Sequence, residues 1–242
     1  MTSSREMTES PPSVDKSPQA VRDMFAGVAP RYDLLNHLLT GNLDFLWRRR
    51  ATAALKPRPG ERILDLCSGT GDQALGAGRR GARVAAADFC VPMLALSRAK
   101  FAAVTSPGPW PLAADALALP FSEGRFAGAT VSFGLRNVSD LDAALRQLAT
   151  SLQAGGRLVV LEFALPENRL LRGLYLAYFQ RVLPFIGRLV SPRGSAYKYL
   201  PDSVVGFPQR QEFLDHMAAA GFENLTYKNL AGGTVCLYRG TT

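Results

Sequence analysis

Apolar residues recur every three or four positions in the first quarter of the chain, which predicts three helices. Pro30 separates the first helix from the second, and Gly41 ends the second. Residues 43–55 form the third predicted helix, for which Asp44 is the expected cap. We therefore expect a helical preface over residues 19–58 that serves as a lid.

Short apolar runs then alternate with helical segments as far as residue 163. Parallel strands joined by crossover helices bind ligands at their carboxyl ends, so we expect an α/β fold with its site at that edge. Two late apolar segments with a short link predict a hairpin at the edge of the sheet. The predicted strands span residues 62–66, 83–87, 126–133, 157–163, 224–229 and 234–239, with a third strand ending before Asp115, and the predicted helices span residues 72–79, 92–104, 140–152 and 210–220.

A glycine-rich loop directly follows the first predicted strand. Such a loop at a helix start lets the backbone approach a ligand closely and points free N–H groups toward it. Gly69-x-Gly71-x-x-Ala74 fits a dinucleotide fingerprint, with Asp88 at about the spacing of a ribose-binding acid. The same loop fits S-adenosylmethionine, because an acid at the strand end, Asp65, precedes the glycines.

Acids at three successive strand ends favour the second cofactor. Asp65 would orient the loop or meet the amino group, Asp88 would accept hydrogen bonds from both ribose hydroxyls, and Asp115 with Ala116 would read the adenine edge. No Tyr-x-x-x-Lys pair occurs, so a short-chain dehydrogenase would lack its proton donor. The strand ends therefore predict an adenosyl-cofactor site.

Composition narrows the class of protein. With 242 residues, 47% of them hydrophobic, the chain can form one α/β domain, expected over residues 19–242. Residues 1–18 are rich in Ser, Thr, Pro and Glu and lack the apolar segment of a signal peptide, which predicts a disordered tail. Three widely spaced cysteines and two histidines indicate neither a disulfide framework nor a metal site. We therefore expect a cytoplasmic protein without a metal.

The net charge of +8 favours an anionic partner: nucleic acid, an acidic substrate or anionic lipid. Residues 165–200 contain six basic residues and one acid. No interleaving of basic and stacking aromatic residues is evident, so nucleic acid is not expected. Residues 166–205 are predicted as a substrate-side helical insertion. Its basic face either meets an anionic membrane surface, with peripheral attachment, or is solvated.

Two polar motifs are more specific than the glycine loop: Tyr32-Asp33-x-x-Asn36 and Phe133-Gly134-x-Arg136-Asn137. Further segments that contribute to the same recognisable pattern are residues 21–25, 46–48, 64–72, 161–163, 182–187, 197–203, 220–222 and 232–234. On these residues the chain resembles the UbiE/MenG family of C-methyltransferases of ubiquinone and menaquinone synthesis. The resemblance implies a Class I methyltransferase (Rossmann-like) fold with a mostly parallel seven-stranded sheet and a C-terminal β-hairpin. It also implies S-adenosyl-L-methionine as cofactor, S-adenosyl-L-homocysteine as product and a prenylated quinol as substrate.

The same resemblance places the cofactor in the glycine loop and at the neighbouring strand ends. Cys67 stands where many methyltransferases have the first glycine of this loop. The expected cofactor-binding residues are Asp65, Cys67, Ser68, Gly69, Thr70, Gly71, Asp88, Phe89, Met93, Asp115, Ala116, Ser132 and Phe133.

Catalysis must activate an aromatic carbon, which is a poor nucleophile until a ring hydroxyl loses its proton. The guanidinium of Arg136 stays protonated, so we expect it to stabilise the phenolate or to position a water. Asp33 and His37 are the base candidates. Their open alternatives are a cap or an arginine partner for Asp33 and a surface position for His37. Tyr32 and Asn36 would cover the cofactor or hydrogen-bond to the quinol.

The substrate predicted from the resemblance is demethylmenaquinol, which would become menaquinol. The alternative is the 2-methoxy-6-polyprenyl-benzoquinol step of ubiquinone synthesis, since both pathways use this family. A different small-molecule or RNA methyltransferase and a catalytically silent cofactor-binding protein are the competing classes. A homodimer is left open.

Overall fold

The structure is a computed structural model that describes residues 15–104, 108–178, 181 and 195–242. Its N-terminal part confirms the predicted preface of three helices, with breaks at the predicted proline and glycine. The helices are α1 (Pro18–Val28), α2 (Tyr32–Leu39) and α3 (Leu43–Leu55), with a 3-10 turn at Ala29–Arg31.

Two details of the preface differ from the prediction. Residues 1–14 of the predicted tail lie outside the described residues, and α1 begins at Pro18, the last residue of the predicted tail, with Ser17 as its cap. The prediction that Asp44 caps α3 is wrong. Asn42 precedes α3 with a left-handed backbone, and Asp44 is buried in the first helical turn. The Asp44 carboxylate is thus turned into the protein, where it needs partners.

Seven strands form one sheet. They are β1 (Arg62–Leu66), β2 (Arg83–Asp88), β3 (Trp110–Ala113), β4 (Phe126–Ser132), β5 (Leu152–Phe163), β6 (Glu223–Leu230) and β7 (Val235–Thr241). Their order is β3-β2-β1-β4-β5-β7-β6. The first five are parallel, and β7 runs antiparallel to both β5 and β6. This arrangement confirms the predicted parallel sheet and its C-terminal hairpin.

Helices cover both faces of this sheet. They are α3 with α4 (Asp72–Gly78) and α5 (Val91–Ala102) on one face, and α6 (Leu141–Ser151) with α9 (Gln211–Ala219) on the other. Successive strand residues point to opposite faces. In β1, Leu64 and Leu66 therefore join one buried cluster and Ile63 joins the other. Burial on both faces explains why these strands are continuous apolar runs.

The register brings several strand ends to one edge of the sheet. Leu66 of β1 pairs with Ala87 of β2 and with Val131 of β4. Asp88 and Ser132 therefore end their strands beside the glycine loop. The preface lies over the same edge, because α1 contacts α5.

The predicted insertion at residues 166–205 is described only in part. It contains α7 (Arg169–Ala177) and α8 (Ser195–Val205). Its apolar residues Phe179, Val182, Leu183, Phe185 and Ile186 lie outside the described residues. Over the ranges that the structure describes, no helix combines the length and hydrophobicity needed to cross a membrane.

Candidate active site

Two cavities open at the carboxyl edge of the sheet. The first cavity lies over the ends of β1, β2 and β4, and most of the predicted cofactor-binding residues line it. These are Cys67, Gly69, Asp88, Phe89, Met93, Asp115, Ala116, Ser132 and Phe133. The remaining predicted residues, Asp65, Ser68, Thr70 and Gly71, do not line it.

Backbone strain is concentrated in the wall of the first cavity. Cys67 and Phe133 follow β1 and β4 and have left-handed φ values of 54° and 62°. Gly134 packs so closely that a Cβ atom there would lie 2.4 Å from the Cβ of Cys67. Left-handed non-glycine residues cost on the order of 1–3 kcal/mol each and persist where the surroundings hold them. The loops after β1 and β4 are therefore held together in one strained wall.

Asp88 is held rigidly at the end of β2. Its two carboxylate oxygens accept hydrogen bonds from the backbone N–H groups of Gly69 and Cys90, both at 2.8 Å. Burial raises the pKa of Asp88, while these N–H groups lower it in part. Each oxygen has a further lone pair. The carboxylate is thus fixed in place and can accept additional hydrogen bonds from a ligand.

Other polar atoms on this wall lack partners. Ser132 Oγ and Asn137 Oδ1 are buried and have no hydrogen-bond partner among the residues that the structure describes. Asp115, at the far end of the cavity, is exposed and accepts from the backbone of Leu117 at 2.9 Å. Buried polar atoms are normally hydrogen-bonded. These atoms without hydrogen-bond partners therefore indicate a polar ligand in the first cavity.

Asp65 is buried beneath the glycine loop. Its side chain is 1% exposed, and neither oxygen has a hydrogen-bond partner in the described part of the chain. Burial raises the pKa of Asp65 to about 8, and the positive charge of Arg48 offsets only part of this effect. The carboxyl is therefore protonated at neutral pH.

We expect Asp65→Asn to flatten the pH dependence of stability. The folded chain keeps the carboxyl proton up to about pH 8, whereas the unfolded chain releases it near its ordinary pKa of 3.8. The folded state binds more protons in that window, so the contribution of this group to stability falls as the pH rises. Thermal unfolding of the ligand-free proteins at pH 5, 6.5 and 8 measures this effect. The melting temperature of the variant should rise relative to that of the wild type as the pH increases. The exposed Asp115→Asn is the control, and a pH-independent difference for Asp65→Asn would contradict the raised pKa.

Asp33 joins the preface to the glycine loop. Lys100 Nζ lies 2.7 Å from Asp33 Oδ2 and 2.6 Å from Asp72 Oδ1. Thr70 Oγ1 donates a 2.6 Å hydrogen bond to Asp33 Oδ1. Asp33 thus pairs with a lysine instead of the arginine considered from the sequence, and it lines neither cavity. Its carboxylate connects α2, the loop and α5. Residue 71 of the same loop has room only for glycine, because a Cβ atom at this position would lie 2.4 Å from the ring of Phe101.

The second cavity, of about 420 Å³, lies between the preface and the insertion. Its apolar wall comes from α1, α2, α3 and α8. The two cavities share Phe25, Tyr32 and Phe133 in their walls, so groups bound in each would meet there. The apolar lining residues include Met24, Val28, Leu35, Leu39, Leu43, Trp47, Phe163 and Leu200.

Arg136 lines the second cavity as half of a buried ion pair. Its Nη1 lies 2.6 Å from Oε1 of Glu162, a side chain with no exposed surface, and also donates to the carbonyl of Phe133. The guanidinium lies over the Phe163 ring, 5.3 Å from its centroid. Arg136 Nε is buried without a hydrogen-bond partner among the described residues. The side chain is therefore fixed, with an N–H donor to spare.

Glu162 had no role in the sequence analysis. The signal for it was a single acid within the apolar strand at residues 157–163. A buried carboxylate needs a cation or several donors, because the cost of desolvation is otherwise too high. That rule predicts a basic partner for Glu162. It does not predict which of the many arginines would be that partner.

Asp44 organises a second polar cluster. Its carboxylate lies 2.9 Å from His37 Nδ1, accepts a 2.9 Å hydrogen bond from Thr40 Oγ1 and lies 3.9 Å from Arg48 Nε. Asp44, Thr40 and Arg48 line the second cavity, whereas His37 does not and stacks on Phe45. The imidazole therefore connects with the cavity through Asp44.

The predicted catalytic residues thus divide into two groups. Tyr32, Asn36 and Arg136 line the second cavity, and Asp33 and His37 line neither cavity. Burial raises the pKa of Tyr32, although Asn36 and nearby arginines lower it in part. The phenol consequently remains protonated at neutral pH and can donate a hydrogen bond.

Comparison with known proteins decides the family. The sequence model of the ubiE/COQ5 methyltransferase family matches residues 13–242. The chain belongs to this family. A demethylmenaquinone methyltransferase of Thermus thermophilus is 48% identical over 219 residues, which cover 90% of this chain and 99% of the relative. The ubiquinone/menaquinone biosynthesis C-methyltransferase UbiE of Geobacter sulfurreducens is 42% identical over 226 residues, with 92% and 88% coverage.

Solved structures agree on the fold. A SAM-dependent methyltransferase from Thermotoga maritima superposes with a TM-score of 0.66 at 20% identity, covering 91% of this chain and 99% of that one. The Class I fold and the family resemblance are therefore confirmed. This member of the ubiE/COQ5 family is an S-adenosylmethionine-dependent C-methyltransferase of quinone biosynthesis.

The first cavity has donor and acceptor groups suited to this cofactor. Asp88 can accept from ribose hydroxyls, and Ser132 Oγ and Asn137 Oδ1 are buried without partners in the described residues. Asp115 stands at the opposite end of the cavity, where it can meet the adenine. These residues fit S-adenosylmethionine.

Proposed function

We propose that this methyltransferase converts demethylmenaquinol to menaquinol by methylating a ring carbon. The observation that supports this proposal best is the junction of the two cavities at Phe25, Tyr32 and Phe133. The first cavity, which we assign to the cofactor, adjoins there a mostly apolar second cavity of about 420 Å³. A flat bicyclic ring with an isoprenoid tail has the size and apolar surface that such a cavity accommodates.

The relatives favour the naphthoquinol over the benzoquinol. The Thermus thermophilus and Mycolicibacterium paratuberculosis relatives, at 48% and 42% identity, are demethylmenaquinone methyltransferases. The Geobacter sulfurreducens relative bears a name that covers both pathways. Methylation of the benzoquinol is therefore the second candidate, and no observation favours RNA as a substrate.

The bound S-adenosylmethionine supplies a methyl group that is already electrophilic. The protein must then orient the ring, stabilise its phenolate and exclude water. Tyr32 and Phe133 lie at the junction of the cavities and position the ring edge toward the methyl. The apolar walls exclude water, so the opposite charges that cancel during transfer are not solvated separately.

In this proposal Arg136 stabilises the phenolate. Arg136 lines the second cavity and its Nε–H has no partner among the described residues, so we assign this donor to the ring oxygen, while Glu162 fixes the rest of the guanidinium. A pre-positioned donor of this kind stabilises charge in the transition state without reorganising. Glu162 also offsets the formal charge of Arg136, so the stabilisation comes from the aligned N–H dipole and not from a free cation.

The Asp44–His37 pair is the proton acceptor in this proposal. Asp44 lines the second cavity and His37 lies behind it at 2.9 Å. The pair would accept the proton of the ring hydroxyl, which makes the ring carbon nucleophilic. That carbon would take the methyl group as the methyl–sulfur bond of S-adenosylmethionine breaks, with S-adenosylhomocysteine as the leaving group. The resulting dienone becomes aromatic again by moving its ring proton to the oxygen. The pair then releases one proton to solvent, which balances the reaction.

Purified protein with labelled S-adenosylmethionine and a reduced short-tailed demethylnaphthoquinol tests the function. We expect label on the naphthoquinol ring carbon and faster turnover than with the matched benzoquinol. The oxidised quinone is the control, because it has no hydroxyl to ionise and should not react. Label on neither ring would overturn the proposal, and preference for the benzoquinol would select the second candidate.

We further propose that the helices beside the second cavity dock on an anionic membrane surface. In α7, Leu170 and Leu174 are 74% and 62% exposed, with Arg169 and Arg172 exposed beside them. Tyr178 donates a 3.2 Å hydrogen bond to the carbonyl of Leu39, which joins this segment to α2. Leucines that insert and arginines that attract anionic headgroups are typical of interfacial helices. A substrate with a polyprenyl tail would enter the cavity from such a surface.

Leu170→Glu should reduce binding to vesicles that contain anionic lipid by about 10- to 100-fold, since burial of a leucine contributes about 1.5–3 kcal/mol. Sedimentation with vesicles of phosphatidylglycerol and phosphatidylcholine measures it. Val91→Glu is the matched control, because Val91 is 61% exposed at the start of α5 and gains the same charge. Equal losses in both variants would indicate a general charge effect and refute the docking surface.

A further inference from the structure

A lysine from the start of the described chain reaches the first cavity. Lys16 lines that cavity together with Pro18, just before α1. The other charged residues in the described lining are the acids Asp88 and Asp115, so Lys16 is the cation of this wall. Across the ranges that the structure describes, no carboxylate lies within ion-pair distance of its ammonium. The half-buried ammonium of Lys16 is therefore not neutralised by an acid in the described part of the chain.

Lys16 lies toward the β4 end of the cavity. It lies just before α1, which contacts α8, and α8 in turn contacts the turn after β4 that carries Arg136. Asp115 follows β3, on the opposite side of β2 and β1 in the sheet. The cavity therefore has Asp115 at one end, Asp88 between and Lys16 at the other end.

The surroundings favour an anion next to Lys16. Burial lowers the pKa of Lys16, and the positive charge of Arg136 lowers it further, although the negative charge of Glu162 offsets part of this effect. Both effects oppose a second positive charge at this point. A carboxylate that bound there would offset both, because it would pair with the ammonium and reduce its repulsion from Arg136.

S-adenosylmethionine has one carboxylate, at the amino-acid end of the molecule. With its adenine at Asp115 and its ribose at Asp88, that end lies over β1 and β4. We propose that Lys16 binds the α-carboxylate of the cofactor. The inference rests on the proposed placement of the cofactor in the first cavity. It adds a residue that the motifs in the loop and the strands do not contain.

The position of Lys16 gives this contact a structural consequence. Ser17 caps α1 and α1 contacts α5 and α8, so an ion pair at Lys16 ties the first helix of the preface to the cofactor. The product, S-adenosylhomocysteine, keeps the carboxylate and makes the same contact. The ion pair therefore contributes to binding both cofactor and product, and it does not distinguish between them.

Calorimetry with two ligands tests the proposal without any quinol. S-adenosylhomocysteine carries the carboxylate, and 5′-methylthioadenosine has the same adenosine and sulfur but no amino-acid group. Lys16→Gln should weaken binding of S-adenosylhomocysteine by about 10- to 100-fold, as expected for a charged hydrogen bond. Binding of 5′-methylthioadenosine should change less than about threefold. Lys16→Arg should recover most of the affinity for S-adenosylhomocysteine.

Controls separate this result from misfolding and from failure of the proposed function. Lys228→Gln removes an equal charge from an exposed position on β6 and should leave both affinities unchanged. Equal losses for both ligands, or no loss for either, would overturn the role of Lys16. Methyl transfer by the wild type is measured separately, so an inactive wild type that still binds S-adenosylhomocysteine would refute the quinol chemistry and leave the Lys16 result intact.

Discussion

Arg136→Lys should reduce methyl transfer by about 100- to 1,000-fold while S-adenosylhomocysteine still binds. Lysine keeps a positive charge near Glu162, which is buried and would otherwise be unpaired. It cannot reproduce the fork of the guanidinium, in which Nη1 holds Glu162 and the carbonyl of Phe133 while Nε remains available. The ring oxygen therefore loses its positioned donor. Single-turnover kinetics with saturating quinol measure the loss.

Arg136→Ala should lose at least as much turnover, but it also leaves a buried carboxylate without its cation. Its unfolding free energy must therefore be measured beside its activity. Arg157→Lys is a control, because Arg157 is also on β5 but pairs with Glu61, which directly precedes β1. A large loss of S-adenosylhomocysteine binding in Arg136→Lys, with turnover little changed, would place Arg136 in the cofactor site and contradict its role toward the ring.

Glu162→Ala should lower the free energy of unfolding by about 3–5 kcal/mol. Glu162 has no exposed surface and Arg136 is 6% exposed, so removing the acid leaves a buried guanidinium unpaired. Urea denaturation at pH 7 measures this loss. Glu162→Gln should cost less, because an amide oxygen can still accept from Nη1. In both variants, turnover should fall further than stability alone explains, since Arg136 is no longer oriented.

Glu167→Ala is the matched control for Glu162. Glu167 also pairs with an arginine, Arg210 at 3.3 Å, but its side chain is 61% exposed. An exposed ion pair contributes about 0–1 kcal/mol, so this substitution should change stability little. Equal destabilisation by Glu162→Ala and Glu167→Ala would show that burial does not govern the Arg136 pair.

The base candidates show where reasoning from the sequence reached its limit. Asp33 belongs to the motif and His37 directly follows it, and each has a side chain able to accept a proton. The fold directs Asp33 to Lys100, whose position on α5 is 67 residues away in the chain. It places His37 against Asp44, which the local pattern predicted as a helix cap. Both outcomes depend on how helices pack, which spacing within one helix does not specify.

Local pattern determined the elements of this protein and much of its first cavity. Apolar runs and breaks predicted the preface, the parallel strands and the hairpin, because strand and helix periodicity depend on nearby residues. Glycine spacing and strand-end acids predicted Gly69, Asp88 and Asp115 at one edge, since parallel strands end together. The motif at Arg136 predicted an arginine at that edge.

Tertiary packing decided the charges that surround the reaction. The pairing of Arg136 with Glu162, of Asp44 with His37, and the approach of Lys16 to the cofactor cavity join residues from different elements. The burial of Asp65 beneath the glycine loop is likewise a result of tertiary packing. The ionisation and orientation of each group depend on desolvation and on neighbours brought in from distant segments. These quantities arise only when the sheet, the preface and the insertion have packed together.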